Sequence, residues 1–195
     1  ASEVRVRQLY AYYQERRDSR YGSRFADRYC HRSVPIEMVG VWDTVKALGL
    51  SVPVVSRLTP TASEFHYDQL SDAVRHGYHA LALDERRMLF EPILWHCPPD
   101  WDGHVEQVWF RGTHGDIGGQ ITGYTPARAL ANIPLVWMLE RAEGCGLRLP
   151  EGWQARFPCD PQAPSVGMNR AWGKIFVVRR KRKVGVDRSE RLHDT

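Results

Sequence analysis

The sequence has no hydrophobic run that is long enough to cross a bilayer. Spanning the hydrocarbon core takes about 20 consecutive apolar residues, and no stretch of the 195 residues approaches that length. We also expect no signal peptide, because the first residues, Ala1 to Arg5, are mostly polar. We therefore expect a protein that is made in the cytoplasm.

Cysteine is scarce, and none of the four cysteines belongs to a C-x-x-C pair. This spacing argues against a zinc ribbon and predicts no disulfide framework. The histidines His66, His76 and His79 also match no standard zinc-ligand spacing. We therefore predict no metal site and no cofactor.

Excess charge is small and is concentrated in one place. The 27 basic and 23 acidic residues leave a net charge of +4, and much of this excess lies in the basic run, residues 179–183 (RRKRK). One interpretation is a solvated or disordered basic tail over residues 179–195. The alternative is contact with an anionic membrane surface, because lipid headgroups attract polybasic segments. No aromatic residues interleave the run, so we predict no nucleic-acid partner.

The apolar pattern alternates between strands and helices, which predicts an α/β fold. Residues 34–42 and 105–111 are predicted as buried strands, and residues 126–144 as a helix that Pro134 kinks or splits in two. The other predicted elements are helices over 3–17 and 69–83, strands over 88–95 and 175–178, and loops over 18–33 and 49–68.

A glycine-rich turn, Gly112 to Gly119, joins the predicted strand 105–111 to the next helix. It presents His114 at the carboxyl end of the strand, where α/β enzymes bind their ligands. A histidine in that position can act as a general base near neutral pH. Asp116, in the same turn, either caps the following helix or supports His114 through a hydrogen bond.

Asp43 follows strand 34–42 in the way that His114 follows strand 105–111. Because the carboxyl ends of parallel strands meet at one edge of a sheet, we expect the two side chains to lie within hydrogen-bond reach. Such a pair is two-thirds of a Ser-His-Asp relay, in which the acid orients the imidazole and the imidazole accepts the serine proton. Thr44 is a candidate to hold the Asp43 carboxylate. The other interpretation of Asp43 is a cap of the next turn.

The nucleophile of such a relay is missing from the sequence. In α/β-hydrolases the triad follows the chain order Ser, Asp, His, and the serine lies in a G-x-S-x-G elbow. No serine before Asp43 occurs in that pattern. The nearest match is centred on Ser165, but it comes after His114, carries a proline beside the serine and lacks a strand before it. We therefore assign no nucleophile within this chain.

The sequence contains three motifs whose order along the chain is specific enough to indicate a family. They are GVWDTV (Gly40 to Val45), HALALDERR (His79 to Arg87) and QVWFRGTHGDIGG (Gln107 to Gly119), followed by the segment Ile133 to Met138. Together they resemble the α/β-hydrolase family first catalogued as a domain of unknown function, which includes the phospholipase effectors of type VI secretion. The resemblance covers residues 1–145 well and the remainder loosely.

The resemblance implies an incomplete α/β-hydrolase fold, with a mostly parallel sheet flanked by helices and the amino-terminal strands missing. Residues 1–178 would be the carboxyl-terminal part of the catalytic domain. Asp43 would be the triad acid and His114 the base of a lipid ester hydrolase. The family's serine elbow, of the form G-x-S-R-G-A, would precede Ala1, so this chain alone would hydrolyse nothing. Gln120 departs from the family pattern, which usually continues with a third glycine.

The resemblance also implies partners and a destination. A lipid or phospholipid would be the substrate, a secretion adaptor or an immunity protein would be a partner, and type VI secretion would export the protein to a target cell. The competing hypothesis is a non-catalytic membrane- or protein-docking domain. It would use the basic run and an aromatic surface, and its hydrolase pattern would be a relic.

Overall fold

The computed structural model describes residues 3–14, 24–25, 27–31, 34–45, 69–97, 103–170 and 178–194. The chain divides into two compact units, residues 1–35 and 36–195. In the first unit, helix α1 (Glu3–Gln14) carries an exposed ion pair between Arg7 and Glu3, one turn apart, at 2.7 Å. This confirms the predicted helix over residues 3–14, whereas its expected end at residue 17 lies outside the described residues.

The described part of the second unit is built on a sheet of four parallel strands. Their order across the sheet is β1 (Ile36–Trp42), β2 (Val74–Ala82), β3 (His104–Phe110) and β4 (Glu190–Leu192). The second halves of β2 and β3 are buried throughout, as expected for strands covered on both faces. The sheet, with helices packed against it, confirms the predicted α/β class.

Backbone hydrogen bonds join the residues that follow neighbouring strands. The N–H of Asp43, which follows β1, donates to the Ala80 carbonyl of β2 at 2.7 Å. The N–H of Leu83, which follows β2, donates to the Phe110 carbonyl of β3 at 2.9 Å. The loops that leave these three strands therefore begin side by side at the carboxyl edge of the sheet.

The helix predicted over residues 69–83 is wrong, because most of that segment forms β2. A strand buried on both faces has a nearly continuous apolar sequence, which periodicity does not distinguish from a buried helix. Gly77 lies in the middle of this strand, and a Cβ there would come within 2.3 Å of Leu70 and 3.2 Å of Trp95. The neighbours thus pack directly against the glycine backbone.

The strand predicted over residues 88–95 is also wrong. Met88–Phe90 form a single 3₁₀ turn, and Pro92 makes only an isolated antiparallel bridge with Val45. Proline has no N–H to donate to a sheet ladder, so a proline in this segment opposes a regular strand. The strand predicted over 175–178 and the loop predicted over 49–68 lie wholly or mostly outside the described residues.

The edge strand β4 was not anticipated, since its three residues lie in a polar stretch. It is held by side-chain and backbone contacts with β3. The Trp109 indole N–H donates to the Glu190 carboxylate at 2.7 Å, and the His193 N–H donates to the Trp109 carbonyl at 2.9 Å. The carboxyl-terminal part of the described chain is therefore built into the sheet.

Two helices follow β3, the single turn α2 (His114–Ile117) and the long α3 (Arg128–Gly144). Helix α3 confirms the predicted helix and continues through Pro134 as one element, so the chain is not split there. Within the described ranges, no helix combines the length and the apolar character that crossing a membrane requires.

The main core lies between the sheet and α3. The Trp137 ring packs edge-on against Tyr78 and Phe110, with ring centroids 6.0 and 5.4 Å apart. A Cβ at Gly40 would lie 2.6 Å from the Met138 sulfur, so this glycine of β1 is in close contact with the helix. The core thus holds β1, β2 and β3 in register beneath α3.

We predict that Trp137→Ala lowers the free energy of unfolding by about 3–5 kcal/mol, because it leaves a cavity between α3 and the sheet. Urea unfolding followed by far-ultraviolet circular dichroism measures the change. Leu147→Ala is the control, since that side chain is 51% exposed. If both variants lose an equally small free energy of unfolding, the Trp137 ring does not stabilise the packing of α3 on the sheet.

Candidate active site

Asp43 and His114 meet at the carboxyl edge of the sheet, as the sequence predicts. The Nδ1 atom of His114 lies 2.7 Å from Oδ2 of Asp43. The Asp43 side chain is fully buried, whereas 31% of the His114 side chain is exposed. With its proton on Nδ1, the imidazole donates to the carboxylate and keeps Nε2 for accepting a proton from a reactant.

The backbone of Asp43 is held in an unusual conformation. Its φ angle is 44°, in the left-handed region that residues other than glycine seldom adopt. The Asp43 N–H donates to Ala80, and the Ala82 N–H donates back to Asp43 Oδ1 at 2.9 Å. These bonds turn the chain sharply at the end of β1 and direct the carboxylate across the ends of β2 and β3.

His79 fixes the peptide that follows Asp43. Its Nε2 atom accepts a hydrogen bond from the Thr44 N–H at 3.1 Å. Complete burial lowers the pKa of His79 to about 4, which keeps the ring neutral and able to accept this bond. Thr44 itself is exposed and takes part through its backbone, and among the described hydrogen bonds its hydroxyl does not hold the Asp43 carboxylate.

Arg182, from the basic run, pairs with the same carboxylate. Its two terminal nitrogens donate to both oxygens of Asp43, at 2.9 Å for Nη2 to Oδ2. It also donates to the carbonyls of Ala82 and Phe90. Only 5% of the Arg182 side chain is exposed. The expectation of a solvated tail is therefore wrong for Arg182, because a buried carboxylate requires compensating donors and charge.

These contacts set the charge state of Asp43. Burial alone raises the pKa of the Asp43 carboxyl, but hydrogen bonds from His114 and Arg182, with the Arg182 charge, outweigh it and lower that pKa. The carboxylate therefore remains ionised at neutral pH. It can stabilise a positive charge on the imidazole when His114 accepts a proton.

Glu85 supports the turn that presents His114. Its fully buried carboxylate accepts the His114 N–H at 3.2 Å and two guanidinium bonds from Arg87, at 2.6 and 2.8 Å. Burial raises the pKa of Glu85, but the Arg87 bonds outweigh it and lower that pKa. Together with Asp84, whose carboxylate accepts the Gly112 N–H at 2.8 Å, Glu85 thus ties the loop after β2 to the loop after β3.

Asp116 makes the contacts of a helix cap. Its Oδ2 accepts the Thr113 N–H at 2.8 Å, which is one half of a capping box at the start of α2, and it also accepts the Thr113 hydroxyl at 2.9 Å. The backbone of Gly112, with φ of 121°, passes close beside Asp116. Gln120, the position at which we expected a departure from the family pattern, is exposed, and the contact between His114 and Asp43 forms with it in place.

The Asp116 carboxylate also binds the segment around Ser165. The Ser165 hydroxyl donates to Oδ2 of Asp116 at 2.6 Å, and the Val166 N–H donates to Oδ1 at 2.8 Å. The Gly167 N–H in turn donates to the Ser165 hydroxyl oxygen at 3.0 Å. Ser165 thus joins a loop to helix α2, and its proton points to a carboxylate rather than to an imidazole.

The histidines considered as metal ligands do not converge. The His79 ring packs against Trp95, with centroids 5.2 Å apart, whereas His76 lies 3.7 Å from Glu37. His66 lies outside the described residues. Within the part of the chain that the structure describes, no group of three or more His, Cys, Asp or Glu side chains could hold a metal ion.

Sequence reasoning missed the roles of Arg182, His79 and Glu85 at this site. His79 and Glu85 both lie in the motif HALALDERR, and membership of that motif is the feature of the sequence that could have identified them. No feature of the basic run distinguishes Arg182 from its neighbours. Its role follows only from the fold, which brings residue 182 beside residue 43.

A family model described as the type VI secretion system (T6SS) phospholipase effector Tle1-like catalytic domain matches residues 2–141. This range contains Asp43 and His114 but ends before Ser165 and Arg182. No curated protein and no solved structure matches the chain.

We predict that Gly112→Ala lowers the free energy of unfolding by about 1–3 kcal/mol, because alanine is strained at this φ angle. The added Cβ would also lie 2.8 Å from the Asp116 Cβ. Gly144→Ala is a matched control in helix α3, where a Cβ meets no atom within 4 Å. Urea unfolding compares the two, and equal stability of both variants would contradict a strained turn.

We predict that Arg182→Gln lowers the free energy of unfolding at pH 7 by about 3–5 kcal/mol, because it leaves the Asp43 carboxylate without its cation. The folded-state pKa of Asp43 is depressed, so its stabilising effect is present above the unfolded pKa and is lost as pH falls through the folded pKa. Without Arg182 the folded pKa rises, and this loss begins at a higher pH.

Unfolding by urea between pH 3 and 7 measures both effects of Arg182→Gln. Lys181→Gln is the control, since it removes the same charge from an exposed neighbour. If the two variants have the same acid dependence, the pairing of Arg182 with Asp43 is not present in solution.

Proposed function

Because the chain belongs to the Tle1-like family of type VI secretion phospholipase effector catalytic domains, we propose that it supplies the acid and the base of a serine-type lipid ester hydrolase. The observation that carries this proposal is the 2.7 Å contact between His114 Nδ1 and Asp43 Oδ2 at the carboxyl edge of a parallel sheet. Both residues lie within the matched range. Asp43 is the acid and His114 is the base.

The proposed reaction uses His114 twice. Its Nε2 accepts the proton of a serine hydroxyl while the serine oxygen attacks the ester carbonyl of the lipid. The imidazolium then returns this proton to the departing alcohol, which leaves an acyl-enzyme. A water molecule then attacks the acyl carbonyl while His114 accepts the water proton. The serine ester bond breaks, the imidazolium returns the proton to the serine oxygen, and the fatty acid leaves. Asp43 remains ionised and stabilises the imidazolium in each step.

The serine of this reaction comes from a G-x-S-R-G-A elbow that precedes Ala1 in the intact protein. Ser165 is not assigned to that role, because its hydroxyl donates to Asp116 and its segment lies outside the family match. The described contacts of Asp116 support a capping role, and Thr44 supports the site through its N–H. The 195-residue chain alone is then inactive.

The proposal includes a membrane contact. The basic run leaves Arg179, Arg180, Lys181 and Lys183 exposed, while Arg182 is buried against Asp43. Four exposed cations attract an anionic lipid surface, by about 1 kcal/mol for each residue near it. We propose that the catalytic unit extends beyond residue 178, because Arg182 pairs with Asp43 and β4 continues the sheet.

Family membership also supports a biological setting. As a relative of secreted phospholipase effectors, the intact protein would leave the producing cell by type VI secretion and act on the lipids of a target cell. A secretion adaptor and an immunity protein in the producer are the expected partners. In the alternative, a non-catalytic docking domain, the exposed cations would be retained but the intact protein would not turn over lipid.

We predict that His114→Ala and Asp43→Asn each lower phospholipid hydrolysis by about 10³- to 10⁴-fold, since each removes one part of the relay. The measurement is fatty acid release from phospholipid mixed micelles by the protein that includes the upstream elbow. Circular dichroism checks that both variants remain folded.

Ser165→Ala serves as the control in the same assay and should retain turnover to within about tenfold, because it removes two hydrogen bonds of a supporting loop and no part of the relay. Normal turnover by His114→Ala would reject the assignment of the base. If the 195-residue chain instead hydrolyses phospholipid, and Ser165→Ala abolishes that hydrolysis, Ser165 is identified as the nucleophile.

A further inference from the structure

A cavity of about 150 Å³ adjoins the Asp43–His114 pair. Two of its lining residues contact that pair directly. Arg182 donates to the Asp43 carboxylate, and Glu85 accepts the N–H of His114. Arg182 and Glu85 therefore lie between the cavity and the candidate catalytic pair.

The lining of the cavity has an excess of positive charge, because it includes two carboxylates, Glu85 and Glu91, and five basic residues, Arg87, Arg180, Lys181, Arg182 and Lys183. Two lining cations are already engaged, since Arg87 pairs with Glu85 and Arg182 with Asp43. Lys181 and Lys183 also line the cavity and are exposed, and no carboxylate among the described residues pairs with either. An anionic ligand would supply the missing charge.

Arg182 explains why these lysines lie beside the catalytic pair. Its guanidinium is tied to the Asp43 carboxylate and to the carbonyls of Ala82 and Phe90. This anchor fixes the backbone of the basic run at the carboxyl edge of the sheet. Lys181 and Lys183, on either side of the anchor, remain at the surface of the cavity.

Apolar side chains line the same cavity. Met88, Pro92, Leu94 and Val186 contribute to its wall, and Met88 and Val186 are 48% and 56% exposed. A free phosphate would use only the cations. A ligand with a phosphate next to a hydrocarbon segment would use both parts of the wall, and a phospholipid has this chemistry.

We propose that this cavity is a headgroup subsite, in which Lys181 and Lys183 bind the phosphate of a phospholipid and Met88 and Val186 contact the adjoining apolar part. This inference rests on the proposed function, which it extends by naming where the anionic part of the substrate binds. It places the lipid phosphate on one side of Arg182 and the carboxylate of Asp43 on the other.

The test uses the 195-residue chain, soluble dihexanoyl-phosphatidylglycerol and inorganic phosphate. Binding is followed by isothermal titration calorimetry and by amide chemical-shift changes in nuclear magnetic resonance spectra. We expect the lipid to bind more tightly than inorganic phosphate. We expect Lys181→Gln/Lys183→Gln to weaken lipid binding by about 10- to 30-fold, since each basic residue near a lipid phosphate contributes about fivefold.

Two further variants separate the parts of the subsite. Arg148→Gln/Arg191→Gln removes two exposed cations that do not line the cavity, and it should leave lipid binding unchanged. Met88→Ser should weaken binding of the lipid but leave binding of inorganic phosphate unchanged, because only the lipid contacts the apolar wall. All three variants change exposed side chains, so folding is preserved.

Unchanged lipid binding after loss of both lysines, or an equal loss in the arginine control, would overturn the subsite. Inorganic phosphate that binds as tightly as the lipid would identify a free phosphate as the occupant. The proposed function is tested separately by the elbow-containing protein. If the lipid binds but is not hydrolysed, the proposed function is rejected and the subsite is retained. If Lys181→Gln/Lys183→Gln leaves hydrolysis unchanged, the subsite is rejected and the proposed function is retained.

Discussion

The buried negative charge of Asp43 is the constraint on which the described site depends. A fully buried carboxylate is unfavourable unless donors and positive charge surround it. The structure surrounds this one with the imidazole of His114, the N–H of Ala82 and the guanidinium of Arg182. These groups come from three separate segments of the chain. Each segment is therefore held at the carboxyl edge of the sheet by the same charge.

The same constraint links the proposed chemistry to the carboxyl-terminal segment. Arg182 lies beyond the range matched by the family model, yet it contacts both oxygens of the acid that we assign to the relay. Glu85 plays a comparable part for the base, because it holds the N–H of His114. The geometry of the pair is thus set by neighbours that hold the acid and the base in place and take no proton themselves. The headgroup subsite that we propose uses the other side of the segment that carries Arg182.

The expectation that Asp43 and His114 lie together needed only their positions after two recognisable strands, and the resemblance of three motifs to one family assigned them the roles of acid and base. The prediction failed where local pattern is ambiguous. The second half of the segment that forms β2 is mostly apolar and buried, so its sequence is compatible with a helix, and only pairing with β1 and β3 selects the strand. The short strand β4 carries no apolar pattern, and contacts with Trp109 and Gln107 decide it.

The sequence by itself determined the α/β class, the family, and the acid and base candidates, because glycine turns and apolar strands are local signals. Tertiary structure alone decided that Arg182 is buried, while the cations beside it in the basic run are exposed. It also decided that Ser165 is bound to Asp116. The physical reason is that pairing between charges or hydroxyls distant in sequence depends on chain geometry, which residue type and spacing do not encode.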